Sequence, residues 1–167
     1  INSSVRIVLS KGFDLNKGKE MSIPESLIKK HLSKNSLLIR HQTTESSIKG
    51  FLLLPKGILL IASHPILTSK DEGPIRGTLI FGRYLNNAEL NRLAKFIYLP
   101  IIISRFNNTQ ISPDLQIVKS YLLEKGSIFI QPLGEKLIAG YTLIRDIYGK
   151  PALLLRVDKP RVVYEQG

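Results

Sequence analysis

The chain predicts an α+β protein made of two successive modules, each an antiparallel sheet with a covering helix. Three observations predict it. The segment Pro55-Lys-Gly57-Ile-Leu-Leu60-Ile61-Ala62 returns as Pro132-Leu-Gly134-Glu-Lys-Leu137-Ile138-Ala139, and Pro74 meets Pro151 at the same offset of 77 residues. Six identities fall in the gapless stretch Pro55 to Thr78; unrelated sequence gives roughly one or two, so an internal duplication is expected. The order of elements also repeats. An apolar run ending in Ser10-Lys-Gly-Phe13 corresponds to one ending in Ser104-Arg105-Phe106, and Ser22-Ile-Pro24-Glu25 opens a helix as Ser112-Pro113-Asp114 does. Thirdly, short apolar runs separated by Pro and Gly turns follow each helix, which is the pattern of a meander. The expected modules are residues 1–85 and 86–167, the second beginning with a connecting helix.

Val5-Arg-Ile-Val-Leu9 is β-branched and apolar, bounded by Asn2-Ser3-Ser4 and Gly12, and predicts a buried strand. The polar segment Asp14 to Glu20 predicts a turn. Ser22 with Glu25 three residues on makes a capping box, and Leu27, Ile28 and Leu32 recur at helical spacing, so a helix is expected to end near Asn35. Phe51-Leu-Leu-Leu54 and Ile58-Leu-Leu-Ile61 flank Pro55-Lys56-Gly57 as a hairpin, and Thr78 to Phe81 supplies a third strand. Asn86 as N-cap, Glu89 three residues on and Leu85 against Leu90 mark a helix start, with Leu90, Leu93, Ala94 and Ile97 on one packed stripe and Pro100 beyond it. The second module then predicts a strand at Ile101-Ile-Ile103 and a helix from Pro113 carrying Leu115, Val118 and Leu122, with Gly126 as its cap. Strands at 128–131, 137–145 and 152–157 complete it.

Composition narrows the function classes. A length of 167 residues with 43% hydrophobic content suffices for one domain or two small ones. With no cysteine, thiolate nucleophiles, disulfides and zinc-thiolate sites are excluded. No run of about 18 apolar residues occurs, because Pro55 and Lys56 split the best candidate, so no membrane-spanning helix is expected within the chain. Opening at Ile1 without a signal-peptide pattern, the chain reads as a segment of a longer protein. The net charge of +11 favours anionic partners, but the basic residues are scattered, as in Lys29-Lys30, Lys49, Lys70, Arg92 and Lys95, without aromatic interleaving. A solvated basic surface is therefore expected rather than a nucleic-acid face.

The stretch Ile61-Ala-Ser-His64-Pro65-Ile-Leu-Thr68, followed by Glu72-Gly-Pro74-Ile-Arg76-Gly-Thr-Leu-Ile-Phe-Gly-Arg83-Tyr84-Leu85, closely resembles the fourth type of CHASE domain, the extracytoplasmic sensor of membrane receptors. The tail from Ala139 through Arg156 to Arg161 is similar to the region that follows in longer relatives. The resemblance implies tandem PAS-like modules of the Cache type, lying in the periplasm or outside the cell, flanked by transmembrane helices and feeding a histidine kinase, diguanylate cyclase or chemoreceptor. It implies a membrane-distal first module, a proximal second one, no catalysis by the sensor itself, and an assembly compatible with a homodimer. The family's long N-terminal helix with its Trp-Asp region is absent, since the chain has no Trp.

Chemistry is sparse. His31, His41 and His64 are separate, each more simply structural than catalytic, and the acid pair Asp71-Glu72 falls in a turn. Gly73-Pro74-Ile-Arg-Gly77 lacks the Lys-Ser/Thr of a phosphate loop, and Pro74 removes an amide donor. Asn2-Ser3-Ser4 and Asn107-Asn108-Thr109 fit the glycosylation pattern. The remaining candidates are arginines on strands, because a guanidinium in a partly closed hollow recognises carboxylate or phosphate bidentately. Arg76 and Arg83 are the expected ligand-binding residues, with His64 and Tyr84 as added polar contacts. Their odd spacing puts Arg76 and Arg83 on opposite faces of a regular strand, so one of them at most should enter a hollow between the sheet and its covering helix. The expectation is a sensor for a small, anionic ligand with no cofactor, no metal and no nucleic acid. A basic nucleic-acid adaptor is the alternative, and a ligand-free spacer a third reading. In the sensor reading, displacement passes through the second module to Tyr164.

Overall fold

A computed structural model describes residues 1–14, 17–70, 73–108 and 113–161. The acid pair Asp71-Glu72, the Thr109 end of the second glycosylation triplet, Ser112 and Tyr164 lie outside the described residues. The fold is α+β with antiparallel sheets, and the chain divides into two compact units, Ile1–Tyr84 and Leu85–Gly167.

In the first unit, β1 (Gly12–Asp14) and β2 (Lys19–Met21) form a short hairpin where a bare turn was predicted. Helix α1 (Glu25–His31) follows. The capping box is not formed: Pro24 occupies the cap position without a side-chain bond, and its carbonyl takes the Leu27 and Ile28 amides at 3.0 and 3.3 Å. Ser22 is two residues too early to reach them, because proline at the cap fixes where the first turn begins. The helix stops at His31, and Ser36 Oγ donates to the His31 carbonyl. The main sheet is the meander β3 (Ile48–Leu54), β4 (Gly57–Ile66) and β5 (Gly77–Tyr84), in the order β3-β4-β5.

The predicted strand at Val5–Leu9 does not form. Asn2 folds the chain back instead: its Oδ1 accepts the Arg6 amide at 2.8 Å, its carbonyl accepts the Val5 amide at 2.9 Å, and Val5 takes a φ of 62°. An asparagine side chain that bonds nearby backbone competes with strand pairing. Val8 and Leu9 are left 72% and 83% exposed.

The second unit holds α2 (Asn87–Ile97), β6 (Ile101–Arg105), α3 (Pro113–Glu124), β7 (Phe129–Leu133), β8 (Leu137–Arg145) and β9 (Pro151–Pro160), with sheet order β6-β9-β8-β7. Asn86 caps α2 as predicted, its side chain accepting the Glu89 amide at 2.9 Å. The apolar stripe of α2 is not a packed one, however: none of its residues is fully buried, and Leu93 and Ile97 are 41% and 42% exposed. Helix α3 supplies the core, with Val118 and Leu122 completely buried against Ala139, Tyr141 and Leu154.

The repeated residues do not keep the same face. The β3–β4 hairpin pairs Leu54 with Gly57 across a two-residue turn, whereas Leu133 pairs with Leu137 across three residues. An odd change in loop length turns the following strand over. Ile61 is therefore buried and Ala62 half-exposed on β4, while on β8 it is Ala139 that is buried and Ile138 that is half-exposed.

Candidate functional site

Alternation divides the first unit's sheet into two unlike faces. Leu52 and Leu54 of β3, Leu59, Ile61 and Ser63 of β4 and Thr78 of β5 are buried on the inner face. Cover comes from the turn around Leu38, itself fully buried: its carbonyl accepts the Ser63 hydroxyl at 2.6 Å, and the Ile39 carbonyl accepts Thr78 Oγ1 at 3.3 Å. The outer face is apolar but open. Leu60, Ala62, Leu79 and Phe81 lie on it, Phe81 with 67% of its surface exposed.

In this outer face is a shallow hollow of about 410 Å³ centred on Ala62. Gly50 and Gly82 line it with backbone on the neighbouring strands, while a Cβ on Gly82 would point to the inner face against Leu59. Lys49 lies directly across from Ala62 on β3, and Arg83 lies on β5 in the next row, across from Leu60. The two residues thus stand on the strands either side of β4, their backbones about 12 Å apart, two strand spacings across and two residues along. Apolar surface bordered by two cations suits an anion.

Of the four residues expected from sequence, Arg83 alone lines this hollow. His64 is on the same face two residues further along β4, its Nε2 3.2 Å from Ser47 Oγ. Arg76 precedes β5 and is exposed; its backbone ties Ile66 and Ser3 together at 2.9 and 3.1 Å. Tyr84 points to the inner face beside Leu59, and its hydroxyl is buried without a partner among the described residues. Burial pushes that hydroxyl's pKa up. The structure therefore separates the expected set, and the hollow is in the open sheet face rather than under a helix.

Lys49 is one of the scattered bases and not among the residues expected from sequence to bind a ligand. Its signal was its position at even spacing before Phe51 and Leu53, which places it on their face of the strand. His41, expected to be structural, ties a loop to β4. Its Nδ1 is 2.7 Å from Ser46 Oγ and its Nε2 is 3.1 Å from the buried Ser63 Oγ. Desolvation, and then the nearby His64, lower its pKa below the usual value.

A second hollow, of about 300 Å³, lies against the β1–β2 hairpin, where Lys11 already pairs with Glu20 at 2.9 Å. In the second unit Arg156 is held bidentately by Asp158 at 2.7 and 2.9 Å over the Tyr141 ring. Hydrogen bonding to Asp158 raises the Arg156 pKa, and the carboxylate occupies the fork an anion would need. Among the described residues no group of three or more His, Asp or Glu could hold a metal, and no helix is long and apolar enough to cross a membrane.

The family model for the CHASE4 domain matches residues 1–104, more than half of the chain. The chain belongs to the CHASE4 family. The match takes in the whole three-stranded sheet and its hollow, together with α2 and most of β6. This CHASE4 domain is 32% identical over 164 residues to a protein of Methanothrix harundinacea (strain 6Ac) named methanogenesis regulatory histidine kinase FilI. The alignment covers 98% of the chain and 18% of that protein, so the chain spans about a fifth of the curated relative's length. No solved structure matches it. Most of the chain is thus a sensor domain of the type found in membrane receptors, similar to a segment of a histidine kinase.

Proposed function

We propose that this CHASE4 domain is the ligand-sensing part of a membrane-bound signalling receptor such as a histidine kinase, held outside the cytoplasm between membrane spans. It binds a small anion, and its two units are tandem PAS-like modules, the first distal and the second proximal to the membrane. The observation that carries the reading is the hollow at Ala62 with Lys49 and Arg83 on either side, inside the family-matched residues. The tandem arrangement is supported by the shared order of a helix followed by three antiparallel strands in each unit. Arg156, neutralised by Asp158, leaves the second module as the relay rather than the receptor.

An anion bridging Lys49 and Arg83 would draw β3 and β5 toward the same occupant. Only an arrangement it binds better than the empty one can be favoured, and by no more than that difference in affinity. A thermal-shift screen of sulfate, carboxylates and amino acids at millimolar concentration tests the reading. At least one anion should raise the melting temperature, and Arg83→Ala or Lys49→Ala should remove the rise, each measured against its own unliganded melting temperature. No shift with any anion, or shifts that survive both substitutions, would exclude the hollow as the site.

A further inference from the structure

We propose that one rim of the second unit rests on the bilayer surface, with Phe96 and Tyr98 entering the headgroup region and Lys95, Lys136, Lys159 and Arg161 holding the phosphates of anionic lipids. This contact deepens the reading above and rests on it for the second module being the one nearer the membrane. The placement of the residues stands independently.

The ends of several elements meet at this rim. β6 begins there, three residues after α2 ends; β8 begins there after its turn from β7; and β9 finishes there. Two backbone bonds tie the ends together. The Asp158 amide donates to the Pro100 carbonyl at 3.4 Å, and the Arg161 amide to the Lys136 carbonyl at 2.8 Å. Ile101 is opposite Val157 and Leu137 opposite Pro160, so the starts of β6 and β8 are about 14 Å apart, two strand spacings across and three residues along. Bases that are scattered in the sequence are thereby collected along one edge.

Folding does not account for the two aromatic rings. Phe96 is 82% and Tyr98 91% exposed. Tyr98 closes α2 in the left-handed region at φ 57°, its amide bonded to the Ala94 carbonyl. Glycine or asparagine adopts that conformation at less cost, and the tyrosine gains no burial in return. Leu137, beside Lys136, is exposed as well. Large apolar side chains held out of a fold mark an interaction surface. Rings with basic side chains beside them are the composition of a membrane interface, where the ring sits at the headgroups and the base reaches a phosphate.

The charges on the rim are uncommitted. Lys11, Lys29, Arg92 and Arg156 each pair with a carboxylate. None of the four rim bases has a side-chain partner among the described residues. Of the carboxylates nearby, Asp158 is taken by Arg156, and Glu135 is exposed in the β7–β8 turn. The excess of positive charge calls for a negative partner, and its spread along an edge suits an extended surface better than a small anion. Both hollows described above are in the first unit. A bilayer offers phosphates for the bases and an apolar layer beneath them for the rings, whereas a soluble polyanion offers the charge without that layer.

Co-sedimentation of the full chain with vesicles of equal parts phosphatidylglycerol and phosphatidylcholine tests the rim, with pure phosphatidylcholine for comparison. Binding should need the anionic lipid and weaken as salt screens it. Lys136→Ala and Lys159→Ala should each lower the partition constant about fivefold, the worth of one base at such a surface. Phe96→Ser with Tyr98→Ser should weaken binding at high salt as well. A net charge of +11 draws the chain to any negative surface, so Lys30→Ala and Lys34→Ala, exposed in the first unit, serve as controls of equal charge and should change the constant far less. The chain has no tryptophan, so Tyr98→Trp supplies a lone fluorophore. Its emission should shift to the blue on anionic vesicles and be quenched by brominated lipid, while that of Phe13→Trp in the first unit should do neither. No binding to the anionic vesicles, equal losses for rim and control bases, or an unshifted emission from bound Tyr98→Trp would overturn the rim. The same blue shift with heparin alone, or with rising protein concentration alone, would overturn it too, the partner then being a soluble polyanion or a second copy. Failure here leaves the anion hollow standing, and a thermal-shift screen without a hit leaves the rim standing, because the two tests read different units.

Discussion

A methyl group on Gly77 would run into the Ile1 carbonyl oxygen and lie 3.1 Å from Asn2 Cα. The collision exists because the first residues pair alongside β5: the Thr78 amide donates to the Ile1 carbonyl at 2.7 Å, and the Ile1 amino group to the Thr78 carbonyl at 2.9 Å. Gly77→Ala must displace that segment, and overpacking of this kind costs about 1–3 kcal/mol. Chemical denaturation should register the loss, together with faster exchange of the Thr78 amide; unchanged stability would mean the segment is not held there. Individual side chains were the hardest level to read from sequence. Arg83 and Tyr84 are neighbours in the chain, yet one lines the open hollow and the other buries its hydroxyl on the inner face. Period-two alternation predicts such a division but not which face is covered. Likewise nothing local to His41 announces Ser63, which is 22 residues away and meets it only once β4 is folded against the loop.

Elements were legible where a cap or turn residue agrees with the apolar period. At α2 the Asn86 side chain accepts the Glu89 amide, and Tyr98 closes the helix in the left-handed region at φ 57°. Asn86→Ala should cost about 1 kcal/mol by removing that acceptor. Urea unfolding reads it, and an unaltered midpoint would show that the cap carries no net stability. The Pro55-Lys56 turn and the meander β3-β4-β5 fall where the sequence places them. Failures came where local chemistry competes with propensity. Val5–Leu9 has strand composition, but Asn2 bonds the adjoining backbone and prevents pairing. Ser22 has the look of a cap, but Pro24 sets the first turn two residues later. The apolar stripe of α2 is likewise a statement about what the helix could bury, and Leu93 and Ile97 remain over 40% exposed.

At the scale of the molecule, the chain's lack of cysteine makes its proposed location directly testable. Lys56 is in the exposed β3–β4 turn. In the receptor in intact cells, Lys56→Cys should react with a membrane-impermeant maleimide, while the unsubstituted domain should not. Labelling that appears only after the cells are broken would place the domain inside. The sequence by itself determined the α+β class, the antiparallel meanders, the capped helix α2 and the family, because these depend on residue types at short, fixed spacing. Tertiary structure decided which face of each strand is buried, which of four candidate residues borders the hollow, and that the residues repeated at an offset of 77 fall on opposite faces. The physical reason is that a strand's two faces are equivalent until something packs on one of them. One extra residue in a hairpin, or one loop folded over Ser63, makes that choice from far along the chain.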